Sequence, residues 1–186
     1  MNAILDNPLL RSRVHLWSID EYHKLIDSGQ IEKNLELIHG VAIEKMSKSP
    51  RHAFAVSELL KLLLLRNITG ICIRSEQPIT IADSEPEPDI AIIQGAALDF
   101  QNEHPHTALC VIEVAVSSLE YDLEKADIYA TAKIPQFFIL DLDARKIYEF
   151  SEPRLNQYQN RTVRDFGSFE IQSLGVVELN KLLGGR

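Results

Sequence analysis

Two short, unbroken apolar runs, Asp89 to Ile93 and Leu109 to Val116, limit the fold of this chain more than any other feature. Runs of this length and composition read as strands covered on both faces, so other elements must pack over both sides of the sheet that contains them. Each run carries one acid: Asp89 in Pro88-Asp89-Ile90-Ala91-Ile92-Ile93, and Glu113 in Val111-Ile112-Glu113-Val114-Ala115. A carboxylate in a buried strand is costly unless it is paired, hydrogen-bonded or bound to a cation. Two plainer readings stand beside a functional one. Asp89 could open a strand at a sheet edge, and Glu113 could be half of a structural ion pair.

Helical and strand signals surround these runs. Ser18-Ile19-Asp20-Glu21 is a capping-box pattern that predicts a helix over 18–28, stopping near Gly29. Leu35 to Ile38 and Val41 to Ile43 flank His39-Gly40, which predicts a hairpin turning at the glycine. Ser49-Pro50 opens a main helix to about Asn67, apolar over most of its circumference and so expected against a sheet. Strands are predicted near 71–75 and 78–82, followed by a proline-punctuated acidic loop over 83–88. A second helix is predicted from a capping box at Ser117-Ser118-Leu119-Glu120 to near Lys133. Phe137 to Asp141 and Lys146 to Phe150 read as a strand pair, 154–177 as further antiparallel strand, and 178–183 as a short closing helix. The class is α/β with an antiparallel β-rich C-terminal part. At 186 residues with 45% hydrophobic content, the expectation is an N-terminal arm over 1–17 and one domain over 18–186.

Composition narrows the function. The leucine-rich stretch at 59–65 is too short to span a bilayer and no signal peptide is visible, so a soluble, cytoplasmic protein without membrane partners is expected. Cys72 and Cys110 lie in apolar runs without zinc spacing and read as reduced core residues. A formal charge of -8 argues against a passive nucleic-acid binder. The charge is unevenly spread, however. Residues 43–76 hold six Lys or Arg against three acids, whereas 77–127 hold one Lys against eleven acids. Solvated surface charge explains this as well as function does.

Further candidates gather around the two strand acids. Lys125 lies in the second predicted helix and its side chain should lean back toward the end of the Glu113 strand; an ordinary ion pair with Asp122 is the alternative. Asp122, Lys125 and Tyr129 recur at helical spacing. Glu36, between Leu35 and Leu37, is either a third strand acid or a solvated hairpin glutamate. Arg51 and His52 stand in the first turn of the main helix, where a helix N-terminus suits a phosphate oxygen. An inward, structurally bonded His52 fits equally well.

The order and spacing of Glu36-Leu37-Ile38-His39-Gly40, Ser49-Pro50-Arg51-His52, Pro88-Asp89-Ile90-Ala91, Ile112-Glu113-Val114, then Ser117, Asp122, Lys125 and Tyr129, resemble the Uma2 family. That family, also called DUF820 and abundant in cyanobacteria, is placed among restriction-endonuclease-like folds of the PD-(D/E)xK type. The resemblance spans roughly 18–150. It implies a mixed central sheet flanked by helices, and a metal-dependent endonuclease acting on phosphodiester bonds, with DNA as the nucleic-acid partner and Mg²⁺ or Mn²⁺ as cofactor. It further implies Asp89, Glu113 and Glu36 as metal ligands, these three with Lys125 as catalytic residues, and His52, Arg51, Tyr129 and Ser117 at the substrate. One departure stands out. Ala115 occupies the position two residues after Glu113 where lysine is usual, and the resemblance implies that Lys125 replaces it from the following helix. A noncatalytic interaction module of the same fold, and a hydrolase of a small phosphate or nucleotide, are the rival functions. A homodimer is also expected, because edge strands of the 137–177 region would otherwise lie open.

Overall fold

Strand and helix termini are set by local side-chain chemistry that positions the site. In the computed structural model, which describes residues 9, 12–32 and 34–179, helix α1 (Ile19–Asp27) opens on a complete capping box. The Ser18 hydroxyl accepts from the Glu21 amide, and the Glu21 carboxylate accepts from the Ser18 amide at 2.9 Å. Strands β1 (Leu35–Ile38) and β2 (Val41–Glu44) form the expected hairpin. Its turn residues His39 and Gly40 have φ of 49° and 72°, the paired positive values that a two-residue hairpin turn needs. A Cβ at Gly40 would lie 2.8 Å from Leu16 Cβ, and Trp17 N donates to Gly40 O. Residues 16 and 17, the end of the expected arm, are thus tied to the hairpin.

Helix α2 (Pro50–Leu64) starts at Ser49, whose hydroxyl accepts from the His52 amide, and ends short of the predicted Asn67. The main sheet has six strands in the order β3 (Ile71–Arg74), β4 (Ile90–Gln94), β5 (Cys110–Ala115), β6 (Gln136–Asp141), β7 (Lys146–Arg154) and β8 (Gln157–Asp165). Among the described strands only β5 and β6 pair in parallel, and two short helices cross between them. One face, with Ile90, Ile112 and Phe138, packs on α2 and on a small sheet of β9 (Ser168–Ile171) and β10 (Gly175–Glu178). The opposite face, with Ala91, Val111, Ala115 and Phe137, packs on the crossover helices through Ile128 and Tyr129. β5 is buried at every residue, as its unbroken apolar run requires.

Three expectations change. The 78–82 segment is not a sheet strand. Ile79 N bonds Pro86 O and Ile81 bridges Ser84, so the segment folds onto its own loop, where Pro78, Pro86 and Pro88 lack ladder donors. The second helix is two helices, α3 (Leu119–Glu124) and α4 (Ala126–Thr131), divided at Lys125. The last turn of α3 tightens there to a Lys125 N to Asp122 O bond. The capping box before it does not form: Ser117 takes φ of 61°, and the Ser118 hydroxyl donates to the Asp122 carboxylate at 2.8 Å. The predicted helix at 178–183 lies, beyond Leu179, outside the described residues. Among the described residues no helix is long and apolar enough to cross a membrane.

Candidate functional site

Register brings the two strand acids together. β4 and β5 pair antiparallel with Ile90 opposite Ile112 and Ala91 opposite Val111, so continuing one step sets Asp89 opposite Glu113. There, side chains take over from the backbone ladder. Asp89 N donates to Glu113 Oε2 at 3.1 Å, and Val114 N donates to Asp89 Oδ2 at 2.8 Å. Alternation along β5 points Glu113 to the same face as Val111 and Ala115, where α3 and α4 lie.

The break at Lys125 lets the lysine reach that face. Its ammonium sits 3.1 Å from Glu113 Oε1 and 3.3 Å from Glu36 Oε1, with the lysine side chain only 5% exposed. The surface ion pair with Asp122 is therefore not what forms. Glu36 is 4% exposed, not solvated: it accepts from Tyr121 Oη at 2.6 Å and from Glu87 N at 3.1 Å. Tyr129, wholly buried, donates to Glu113 Oε1 at 2.8 Å from behind the site. His52 reaches from α2 to within 3.0 Å of Asp89 Oδ2, while its Nδ1 is buried without a partner among the described residues.

These groups border a cavity of about 160 Å³ lined by Glu36, Asp89, Glu113, Lys125, His52 and Ser117, with Ser118, Tyr121 and Asp122 beside them. Lys45 and Lys48 stand on its rim, paired with Glu87 and Glu76. Arg51 is elsewhere. Its guanidinium holds Asp143 and the Leu142 carbonyl, so the first turn of α2 sends His52 into the site and Arg51 away from it. Tyr121 escaped the sequence reading as a site residue, and Asp122 was singled out there only by its helical spacing and its place in the motif order. The i,i+4 spacing of Tyr121 and Lys125 was the one available signal, and the tyrosine ring does lie 4.9 Å from the lysine ammonium.

The electrostatics are those of an acid-rich, poorly solvated cluster. Burial pushes Glu113 up to about 8; Lys125 opposes this, and Asp89, Asp122 and Glu36 reinforce it. Burial likewise lifts Asp122 to about 6, against Lys125 and the Ser118 hydrogen bond. For Lys125 burial disfavours the charge, but Glu113, Glu36 and Asp122 outweigh it and hold its pKa above the ordinary lysine value. The hydrogen bond to Asp89 raises His52, against burial. One lysine thus faces several carboxylates, and the surplus negative charge is relieved by proton uptake or by a further cation.

The Uma2 sequence profile, described as "Putative restriction endonuclease", matches residues 19–181. Among solved structures, the chain is similar to a putative nuclease belonging to DUF820 from Anabaena variabilis ATCC 29413, with a TM-score of 0.68 and 16% identity. That alignment covers 89% of this chain and 97% of the other. None of the curated proteins matches in sequence. The mixed sheet, its flanking helices and the match over most of its length together show that the chain belongs to the Uma2 family.

Proposed function

We propose that the protein is a metal-dependent endonuclease that hydrolyses phosphodiester bonds in DNA, using the cavity between β4, β5 and α3. The observation that carries this is the convergence of Asp89, Glu113 and Lys125 from three elements, with Glu36 closing the cluster.

The donor set fits a hard divalent ion. Among the described residues no three Asp, Glu, His or Cys side chains form a ready metal cage. Mg²⁺ does not need one, since it is commonly held by one or two carboxylates and keeps several waters. Asp89 and Glu113 would hold Mg²⁺ or Mn²⁺, with Glu36 adjoining. Such an ion supplies Lewis-acid polarisation of the phosphoryl group and a more acidic attacking water.

The residues of the chain do the rest. Lys125, held protonated between two carboxylates, is unsuited to abstract a proton; it orients the attacking water or a phosphate oxygen and offsets charge. Glu36 and Tyr121 fix the lysine in place, and Tyr129 braces Glu113. His52 fixes Asp89, and its position in the first turn of α2 brings the positive end of that helix toward the cavity. Ser117 and Ser118 line the cavity, their hydroxyls donating to the Val116 carbonyl and to Asp122, so either must turn from its partner to donate to a phosphate oxygen. Ala115 does not remove the amine, because Lys125 brings it to Glu113 from the crossover.

A second reading, the interaction module, is favoured by one observation: Lys125 already satisfies Glu36 and Glu113 within the chain, so the cluster closes on itself. Incubation with supercoiled, linear and single-stranded DNA in Mg²⁺ or Mn²⁺ separates the two. Nicking or cutting that disappears in EDTA and in Asp89→Asn supports the nuclease. Absence of cleavage on all three substrates, with unaltered folding, removes it.

A further inference from the structure

The outer face of α2 is self-complementary, and we propose that two copies of this chain join there. The inner face of the helix buries Ala55, Val56, Leu59 and Leu63. On the outer face Phe54 is 55% exposed and Leu65, just past the helix end, 83% exposed, with Leu64 and Ile68 beside it at 53% and 41%. Exposed apolar residues standing singly are ordinary, and Phe54 and Leu65 stand at opposite ends of the helix with charges between them. Their arrangement selects the partner.

Phe54, Glu58, Lys61 and Leu65 follow one another at spacings of four, three and four residues, and so stand in one line along the helix. From N to C the line reads apolar, negative, positive, apolar. Reversed, it reads apolar, positive, negative, apolar. A second α2 laid antiparallel about a two-fold axis between Glu58 and Lys61 therefore meets a complement at every position. Phe54 faces the partner subunit's Leu65, and Glu58 faces the partner subunit's Lys61. This is the self-complementary contact that a two-fold dimer requires. Glu58 and Lys61 already pair within the chain at 2.6 Å on the surface, so they can join a ring of four charges. The apolar ends provide the driving force, and the central charges fix the register.

The edge strand β8 is a poorer candidate. β8 ends the main sheet but is exposed along most of its length and carries Arg161, Arg164 and Asp165, the charges that guard edge strands against pairing. The dimer expected from the C-terminal strands is thus assigned to α2 instead. Antiparallel pairing also keeps the two cavities apart, because each is at the N-terminal end of its α2, and the ends of a helix of 15 residues lie about 22 Å apart.

Sedimentation or light scattering at high micromolar concentration tests this independently of cleavage. The wild type is expected at twice the 21.1 kDa chain mass. Leu65→Glu and Phe54→Glu, both at exposed positions, should give the single-chain mass with unchanged circular dichroism. Glu58→Lys should raise the dissociation constant roughly tenfold by setting like charges opposite each other, and adding Lys61→Glu should restore it. A wild type of single-chain mass overturns the proposal. So does a dimer indifferent to Leu65→Glu, or a double reversal that fails to restore association.

Discussion

At the scale of single residues, Lys125 decides how the site behaves. Among the described residues it is the one ammonium within ion-pair distance of both Glu36 and Glu113, so removing it leaves two buried carboxylates without that cation. Lys125→Met should cost about 3–5 kcal/mol, the penalty of breaking a buried pair from one side, as measured by urea denaturation. A loss below about 1 kcal/mol would mean that the pair is open to solvent in solution. Glu113 gives the pH dependence. Its pKa in the folded protein, about 8, lies above the unfolded value of 4.5, so the folded form holds the proton more tightly. The resulting stability is fully present below about pH 4.5, declines through the interval and is lost above about pH 8. In EDTA, the melting temperature of the wild type should therefore fall relative to that of Glu113→Gln between pH 5 and pH 9. A difference that stays flat with pH would show that Glu113 is already ionised at the low end. Sequence disclosed the identities of these residues because acids in apolar strands are conspicuous. It could not disclose that Glu36 is buried, since that depends on the loop over 83–88 lying along β1 and offering the Glu87 amide.

At the scale of elements, the legible parts were those whose structure is fixed by short-range chemistry. The capping box of α1, the His39-Gly40 turn, the Ser49 cap of α2 and the unbroken run of β5 all form as read. The segments that differ are those in which a distant partner outweighs a local preference. Ser117-Ser118-Leu119-Glu120 has the pattern of a cap, but the chain must turn sharply out of β5 to bring α3 over the sheet. Ser117 therefore takes a left-handed conformation, and Ser118 serves Asp122 instead. This gives a direct test by substitution. Ser117→Gly should be tolerated, because glycine enters the left-handed region without a steric penalty. Ser117→Val should lower stability by about 1–3 kcal/mol in denaturant titration, since a β-branched residue fits that region poorly. Equal effects of the two would place the turn in a different conformation. The division at Lys125 was invisible for a related reason. Nothing in Leu119 to Thr131 breaks a helix, and the interruption coincides with the reach of one side chain to Glu113 and Glu36.

For the whole molecule, the central question is whether surplus negative charge in the site couples an ion to folding. A ligand that binds only the folded state at about 100 times its dissociation constant adds about 2.7 kcal/mol. In a chain of 186 residues that corresponds to a rise of several degrees in melting temperature. Wild type in millimolar Mg²⁺ or Mn²⁺ should show this rise. Asp89→Asn and Glu113→Gln should lose most of it, each having lost a hard oxygen donor from the cavity. Arg51→Ala should keep it, because that guanidinium holds Asp143 away from the site. Lys125→Met separates the readings most sharply. Lysine and a metal ion relieve the same carboxylates, so without the lysine the apo protein is weaker while the ion has more repulsion to relieve. The metal-induced rise should then exceed that of the wild type even as cleavage is lost. If the lysine instead completes a closed, noncatalytic network, divalent ions will leave the wild type unmoved. Lys125→Met will then melt lower by the same amount with and without them.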